Sequence, residues 1–154
     1  MSAFYLDSSA VVKRYSTETG SKFVIKLMSP SARNRVYSVK ITEVEVWAAL
    51  TRKRKGLKMT TAALTKSVKR FRRNFAARFV KSDITDSLIN DAIRLSDRHT
   101  LRGYDAVQLA AALQANGERI SRKLSPLTFV SADTELNNAA QAEGLAVENP
   151  NNYP

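Results

Sequence analysis

The chain has 154 residues and a net charge of +11, with 44% hydrophobic and 25% charged residues, which suits one globular domain that buries about two thirds of its unfolded surface. Zero cysteines and a single histidine, His99, exclude disulfides, thiolate zinc sites, a thiol nucleophile and any mechanism that requires two histidines. No segment reaches the roughly 18 apolar residues of a membrane helix, and the first strand begins too early for a signal peptide, so we expect a cytoplasmic protein with no membrane partner.

The first predicted element is a buried strand that runs directly into a helix. Residues 3–6 are mostly apolar, Asp7 follows them, and Ser8 and Ser9 are residue types that favour the start of a helix. In a parallel sheet, ligands bind beyond the carboxyl ends of the strands, where Asp7 is expected to lie. Considered alone, Asp7 is better explained as a cap of the following helix, and a functional role depends on other acids converging on it.

The rest of the chain alternates between strand-like and helix-like patterns. Strands are predicted at residues 36–39, 77–81, 127–130 and 145–147, and helical patterns cover residues 21–28, 41–50, 64–75, 88–95, 106–113 and 136–140. This alternation predicts a three-layer α/β/α domain over residues 1–154, in which a parallel sheet of four to five strands is covered by helices on both faces.

Four acids occupy equivalent places in this alternation. Asp7 ends the first strand and Asp133 follows the fourth, whereas Asp105 begins a helix and Glu45 lies one turn into another. In a doubly wound sheet these positions can share one crevice, where mutual repulsion raises at least one pKa unless a cation binds. Oxygen ligands without imidazole or thiolate favour Mg²⁺ or Mn²⁺ over zinc. Such a metal can direct an ionised water at a phosphodiester, so no protein nucleophile is required.

Basic residues are concentrated in the middle of the chain. No acid occurs between Glu45 and Asp83, and this interval holds twelve of the 25 basic residues. An acid-free block of this length indicates a polyanionic partner rather than an ordinary solvated face. Nucleic acid, an acidic protein and an anionic membrane surface are each compatible with the composition of the block.

Taken together and in order, the acidic motifs resemble those of a PIN domain, and most closely the VapC-type toxins of bacterial and archaeal toxin-antitoxin pairs. No single motif is specific, but the set spans nearly the whole chain and ends at Asn149–Pro150. The segments that carry the resemblance are YLDSSAVVKRY, TEVEVWAALTR, LRGYDAVQLAAAL and FVSADTELNNAAQAEGLAVENP.

The resemblance implies a Mg²⁺-dependent endoribonuclease toxin, with Mn²⁺ able to substitute, that a cognate antitoxin silences and that commonly forms a homodimer. Ser9 and Ser131 match small hydroxyl or amide positions beside the metal, although helix capping explains them equally well. The catalytic and metal-binding acids carried over by motif are Asp7, Glu45, Asp105 and Asp133.

The roles of three further positions can be assigned from their place in the sequence. The segment TEVEV offers two glutamates, and we assign Glu45 to the site because Glu43, two residues away, lies on a different side of the helix. Gln108 stands where many relatives of this kind have histidine, which removes a possible polar contact. His99, in a polar turn, is expected to be structural or solvent-exposed.

Two predictions concern the surface and the core. Tyr5, Trp47 and Phe71 lie in apolar patterns and are predicted to be core residues rather than platforms for nucleic-acid bases. The helices of the basic block are predicted to hold RNA phosphates, although they could instead face a second subunit or the antitoxin. The residues assigned to RNA binding are Arg52, Arg54, Arg70 and Arg73.

Two further functions fit the same scaffold. One is a non-catalytic basic module that binds nucleic acid or protein, and the other is an RNA-processing nuclease without an antitoxin. Retention of all four acids favours an enzyme.

Overall fold

The apolar run at the start of the chain forms the central strand of a five-stranded sheet. The computed structural model describes residues 1–154. All neighbouring strands are parallel, and the spatial order is β3-β2-β1-β4-β5. The strands are β1 (Ala3–Leu6), β2 (Arg35–Val39), β3 (Phe79–Ser82), β4 (Thr128–Val130) and β5 (Ala146–Glu148).

Helices cover both faces of the sheet, which confirms the predicted three-layer α/β/α class. One apolar core contains 17 buried residues under α1 to α4, and the other contains 19 under α5 to α7. None of the helices has the length and apolar character needed to cross a membrane. The helices are α1 (Ser8–Val11), α2 (Ser21–Leu27), α3 (Thr42–Lys55), α4 (Thr61–Arg78), α5 (Asp86–His99), α6 (Gly103–Ser121) and α7 (Thr134–Ala142).

The side chains of β1 divide between the two cores because successive residues of a strand point to opposite faces. Tyr5 stacks on Phe129 of β4, with ring centroids 5.6 Å apart, in one core. Leu6 and Val130 lie in the other core. Since β1 and β4 are parallel and in register, both strands end at the same edge, and the Asp7 amide donates to the Val130 carbonyl at 3.2 Å.

The boundary between α4 and β3 differs from the prediction. A strand was expected at residues 77–81, but the helix continues through Arg78 and the strand begins at Phe79. Alanine and arginine are strong helix formers, and continuing the helix adds one hydrogen bond for each residue. A five-residue alternation is too short to outweigh these effects.

The aromatic predictions are confirmed at two positions and wrong at the third. Tyr5 and Phe71 are fully buried, whereas Trp47 is 44% exposed. On α3 the inward position belongs to Val46, so the next residue, Trp47, turns toward solvent. Its ring lies 5.8 Å from the guanidinium carbon of Arg72.

The one histidine has the structural position expected for it. His99 ends α5, and its Nε2 lies 3.2 Å from Glu143 Oε2. Arg98 donates to both carboxylate oxygens of Glu143, at 2.8 and 2.9 Å. These contacts join the end of α5 to the segment that follows α7.

Candidate active site

Asp7 is buried at the carboxyl end of β1, where it caps α1 and also receives hydrogen bonds from two serines. Its Oδ1 accepts from the amide of Ala10 at 2.9 Å and from Ser9 Oγ at 2.7 Å. Its Oδ2 accepts from Ser131 Oγ at 2.7 Å, across the boundary between β1 and β4. The expected capping role is therefore observed, together with a contact that capping does not explain.

Ser9 and Ser131 join Asp7 to the segment that precedes α7. The hydroxyl of Ser9 accepts from the Ala132 amide at 2.9 Å, and that of Ser131 accepts from the Asp133 amide at 3.1 Å. Neither serine is a helix cap, because those positions belong to Asp7 and Asp133. The capping explanation for the two serines is therefore wrong, and both hydroxyls orient the Asp7 carboxylate.

Burial raises the pKa of Asp7 from 3.8 to about 6. Hydrogen bonds from Ser9, Ser131 and the Ala10 amide oppose this rise, and the charge of Glu45 adds to it. The carboxyl group is thus held in fixed geometry while its ionised form is costly. A cation beside it would remove that cost.

Glu45 points toward the same edge of the sheet. Its Oε2 accepts from Ser8 Oγ at 3.0 Å, and its Oε1 accepts from Gln108 Nε2 at 2.8 Å. Glu43 instead accepts from Arg72 Nε at 3.0 Å on the outer side of α3. The two glutamates therefore diverge as their two-residue spacing predicted.

Gln108 has a larger role in the site than the sequence predicted. Its Nε2 also donates to Thr42 Oγ1 at 2.9 Å, and its Oε1 accepts from the Tyr5 hydroxyl at 2.8 Å. The expectation that glutamine removes a polar contact here is wrong, since this side chain supplies one to Glu45. A polar residue three positions after Asp105, in the otherwise apolar run 106–113, was the available signal.

Asp105 and Asp133 lie at the starts of α6 and α7. Asp133 Oδ1 caps α7 by accepting from the Leu136 amide at 3.1 Å. Burial raises the pKa of the half-buried Asp105, and the charges of Asp133 and Glu45 raise it further. We call these acids the acidic edge: Asp7, Glu45, Asp105 and Asp133.

The acids of the acidic edge affect one another electrostatically, but they do not form a ready-made metal-binding cluster. No three acidic or histidine side chains are arranged so that they could hold a metal ion in the structure. The available donors are carboxylate and hydroxyl oxygens, which suit hard cations such as Mg²⁺ and Mn²⁺. Burial is the main cause of the raised pKa values of Asp7 and Asp105, and a cation bound beside these carboxylates would lower both values.

A groove of about 400 Å³ runs beside Glu45. Ser8, Ser9, Arg52 and Tyr104 line it together with apolar residues of α3. Arg52 is thus the one predicted RNA contact that lines the same groove as residues of the site. The other predicted RNA contacts are exposed elsewhere on α3 and α4 and are Arg54, Arg70 and Arg73.

The PIN domain family model matches residues 4–141, and the chain belongs to this family. A curated relative, Ribonuclease VapC45 of Mycobacterium tuberculosis, is 34% identical over 147 residues, which cover 96% of this chain and 95% of the relative.

Several solved structures share the fold, and one of them is a toxin-antitoxin complex. The FitAB complex bound to the IR36 DNA fragment matches with a TM-score of 0.62 and 16% identity, covering 96% of this chain and 94% of that chain. A toxin-antitoxin complex from Klebsiella pneumoniae matches with a TM-score of 0.57 and 17% identity, covering 97% and 98% of the two chains. The three-layer PIN architecture is therefore shared at low sequence identity.

Proposed function

We propose that the protein is the toxin of a toxin-antitoxin pair and acts as an endoribonuclease that hydrolyses RNA phosphodiester bonds. The relative that is 34% identical across nearly the full chain carries the name ribonuclease. The observation that carries the proposal is the buried Asp7 carboxylate, which serines from two elements hold at the acidic edge. A carboxylate fixed in this way suits the binding of a catalytic cation.

The acids of the acidic edge are the residues that would hold Mg²⁺, for which Mn²⁺ can substitute. The chemistry that Mg²⁺ would supply there is ionisation of a water and stabilisation of charge on the leaving oxygen. The donors at the acidic edge are all oxygen atoms, which supports this choice of cation.

The surrounding side chains orient the acids and the substrate. Ser9 and Ser131 fix both oxygens of Asp7, and Ser8 and Gln108 fix both oxygens of Glu45. Arg52 would meet RNA phosphates in the adjoining groove, since it lines this groove and its guanidinium suits phosphate oxygens. These residues position the reacting groups, and the proposed hydrolysis needs no covalent intermediate between RNA and the protein.

A cognate antitoxin is the proposed protein partner, and a homodimer is the proposed assembly of a protein that acts in the cytoplasm. Val44, Trp47 and Tyr104 expose apolar surface at or near the groove, so an antitoxin segment could bury them there. A basic side chain from that segment would meet the ionised carboxylates and silence the site.

Cleavage of a labelled RNA pool by the purified toxin, freed of antitoxin, tests the proposed activity. We expect cleavage with Mg²⁺ or Mn²⁺, none in EDTA, and none with Asp7→Asn. Asp97→Asn is the matched control, because Asp97 is an exposed acid on α5 that forms no ion pair. Undiminished cleavage in EDTA contradicts the metal mechanism, and RNA binding without cleavage supports the non-catalytic module.

A further inference from the structure

The 3-10 turn Val12–Arg14 separates two concave surfaces. Val12 lines the groove beside Glu45, whereas Arg14 lines a second cavity of about 220 Å³. We call this second cavity the arginine cavity. Its walls include Arg14, Tyr15, Ser16, Thr17, Ser67 and Arg70.

Guanidinium groups from two separate segments converge at the arginine cavity. The guanidinium carbon of Arg14 lies 5.8 Å from the ring centroid of Tyr15. Tyr15 is buried, and its hydroxyl accepts from Asn74 Nδ2 at 3.1 Å, which fixes this side of the cavity to α4. Burial and the charges of Arg70 and Arg78 lower the pKa of Arg14, so the three cations repel one another.

No acid compensates this repulsion. Arg14, Arg70 and Arg78 form no ion pair in the structure. The nearby acid, Glu18, is shared between Lys13, at 2.9 Å, and Lys53. Two lysines thus share the single charge of Glu18, so this carboxylate leaves no negative charge to balance the three arginines.

We propose that the arginine cavity binds a phosphate group of the RNA substrate, at a place separate from the acidic edge. This inference rests on the proposed function, because it takes RNA as the ligand. Arg14 and Arg70 present planar forks of N–H donors that match phosphate oxygens, and the hydroxyls of Thr17 and Ser67 are further donors at the wall.

The position of the cavity suits a strand that also reaches the acidic edge. Four α-helical residues and three 3-10 residues run from Ser8 through Arg14, so these two residues are separated by a rise of about 10 Å at about 1.5 and 2.0 Å per residue. A phosphate a few nucleotides from the scissile bond could therefore occupy the cavity. Such a contact would hold the RNA without taking part in the chemistry.

A polynucleotide fits this surface better than an acidic protein segment. Helix α4 forms part of the cavity wall and has no acidic residue along its whole length. The regularly spaced phosphates of a polynucleotide would therefore meet further basic residues of α4 outside the cavity. Its volume of about 220 Å³ and hydroxyl-bearing wall favour a compact anion with several acceptor oxygens.

The test measures RNA affinity in EDTA, so that it does not depend on cleavage. A short single-stranded RNA with a 3′ label and a 5′ hydroxyl is titrated by fluorescence anisotropy across a salt series with the full-length protein. The variants are Arg14→Gln/Arg70→Gln and the charge-matched control Arg33→Gln/Arg35→Gln. Arg33 and Arg35 are exposed, form no ion pair, and lie at the amino edge of the sheet.

We expect Arg14→Gln/Arg70→Gln to bind RNA at least about tenfold more weakly, with the salt slope reduced by roughly 0.7 for the one phosphate that the cavity neutralises. The control should change both quantities much less. Arg14→Lys/Arg70→Lys should restore the salt slope but only part of the affinity, because lysine keeps the charge and loses the fork. Thermal unfolding confirms that each variant is folded.

Two comparisons identify the source of the phosphate. An affinity loss seen with 5′-hydroxyl RNA supports an internal phosphodiester, and a loss confined to 5′-phosphorylated RNA supports a terminal phosphate. Equal affinity and salt slope for the double variant and its control overturn the inference. It is also overturned if a polyglutamate peptide, but not RNA, loses affinity for the variant. Normal RNA binding through this cavity without metal-dependent cleavage would reject the proposed function alone.

Discussion

At the acidic edge Asp7 and Glu45 are fixed by neighbouring residues, whereas on the basic surface of α3 and α4 many charged groups have no partner. Both oxygens of Asp7 and both oxygens of Glu45 accept side-chain hydrogen bonds from residues of other elements or of the next turn. Arg54, Arg70 and Arg73 are exposed and form no ion pair. Chemistry requires defined positions, while holding a flexible polyanion requires mainly charge.

Part of the basic block is engaged within the molecule, which divides it into two groups. Arg72 pairs with Glu43, and Lys53 pairs with Glu18. Lys81 Nζ donates to carbonyl groups at the end of α4. The exposed arginines without such contacts are therefore the ones expected to meet RNA. The contrast between fixed acids and free arginines predicts different effects of mutation in the two regions.

The largest effect is expected for Asp7→Asn, which should change activity and stability in opposite directions. Cleavage should fall by more than the roughly 10- to 100-fold typical of losing an outer-shell partner. In EDTA at pH 8, the free energy of unfolding should rise by up to about 3 kcal/mol, because the pKa of Asp7 is raised to about 6 and each pKa unit corresponds to about 1.4 kcal/mol.

The stability difference between Asp7→Asn and the parent protein should depend on pH, because only the parent has a carboxyl group that ionises at this position. Well below the ordinary pKa of 3.8, Asp7 is protonated in both the folded and the unfolded chain, so the variant and the parent should differ little from this cause. Between about pH 4 and 6 the Asp7 carboxyl ionises in the unfolded chain but stays protonated in the folded one, so the parent protein loses stability relative to the variant, and the difference is constant above about pH 6. Urea unfolding at several pH values measures the difference, with Asp97→Asn as the control. A variant whose relative stability falls with rising pH contradicts the prediction.

An intermediate effect is expected for Gln108→Leu, which tests whether the polar network supports the acidic edge. The substitution leaves the buried Tyr5 hydroxyl without its acceptor, at a cost of about 1–3 kcal/mol, whereas Thr42 keeps its hydrogen bond with Ser38 Oγ at 2.9 Å. Cleavage should fall about tenfold as Glu45 loses one donor. Urea unfolding and single-turnover cleavage measure the two effects.

Gln141→Leu is the matched control, because Gln141 is exposed on α7 and its replacement should change stability by no more than about 0.5 kcal/mol. Equal stability of the two variants would show that the buried network around Gln108 does not support the fold.

The smallest effect is expected for Arg54→Gln and Arg73→Gln on the basic surface. Each change should raise KM a few-fold, leave kcat nearly constant, and reduce the salt slope of RNA binding by about 0.7. Steady-state cleavage across a salt series measures all three quantities, with Arg33→Gln as the control. Lost antitoxin affinity with unchanged RNA affinity would assign these arginines to the protein partner instead.

The local pattern of the chain was sufficient to predict much of the fold. Alternating strand and helix signals indicated the parallel three-layer architecture, because each signal depends on residues that are neighbours in sequence. The predicted start of the third strand, at residue 77 instead of Phe79, was wrong because a short alternation competes with strong helix formers. The prediction that Trp47 lies in the core was wrong because the spacing of apolar residues along α3 does not specify which residue of a helix turn faces inward.

Tertiary packing alone decided how the charged residues are held. The sequence by itself placed Asp7 at a strand end and separated Glu45 from Glu43, since both follow from chain position and helix geometry. The hydrogen bond from Ser131 to Asp7 spans 124 residues, and that from Gln108 to Glu45 spans 63. The approach of Arg14 to Arg70 likewise depends on the packing of its turn against α4. Contacts between distant segments are set by how the elements dock, which no local period of the sequence encodes.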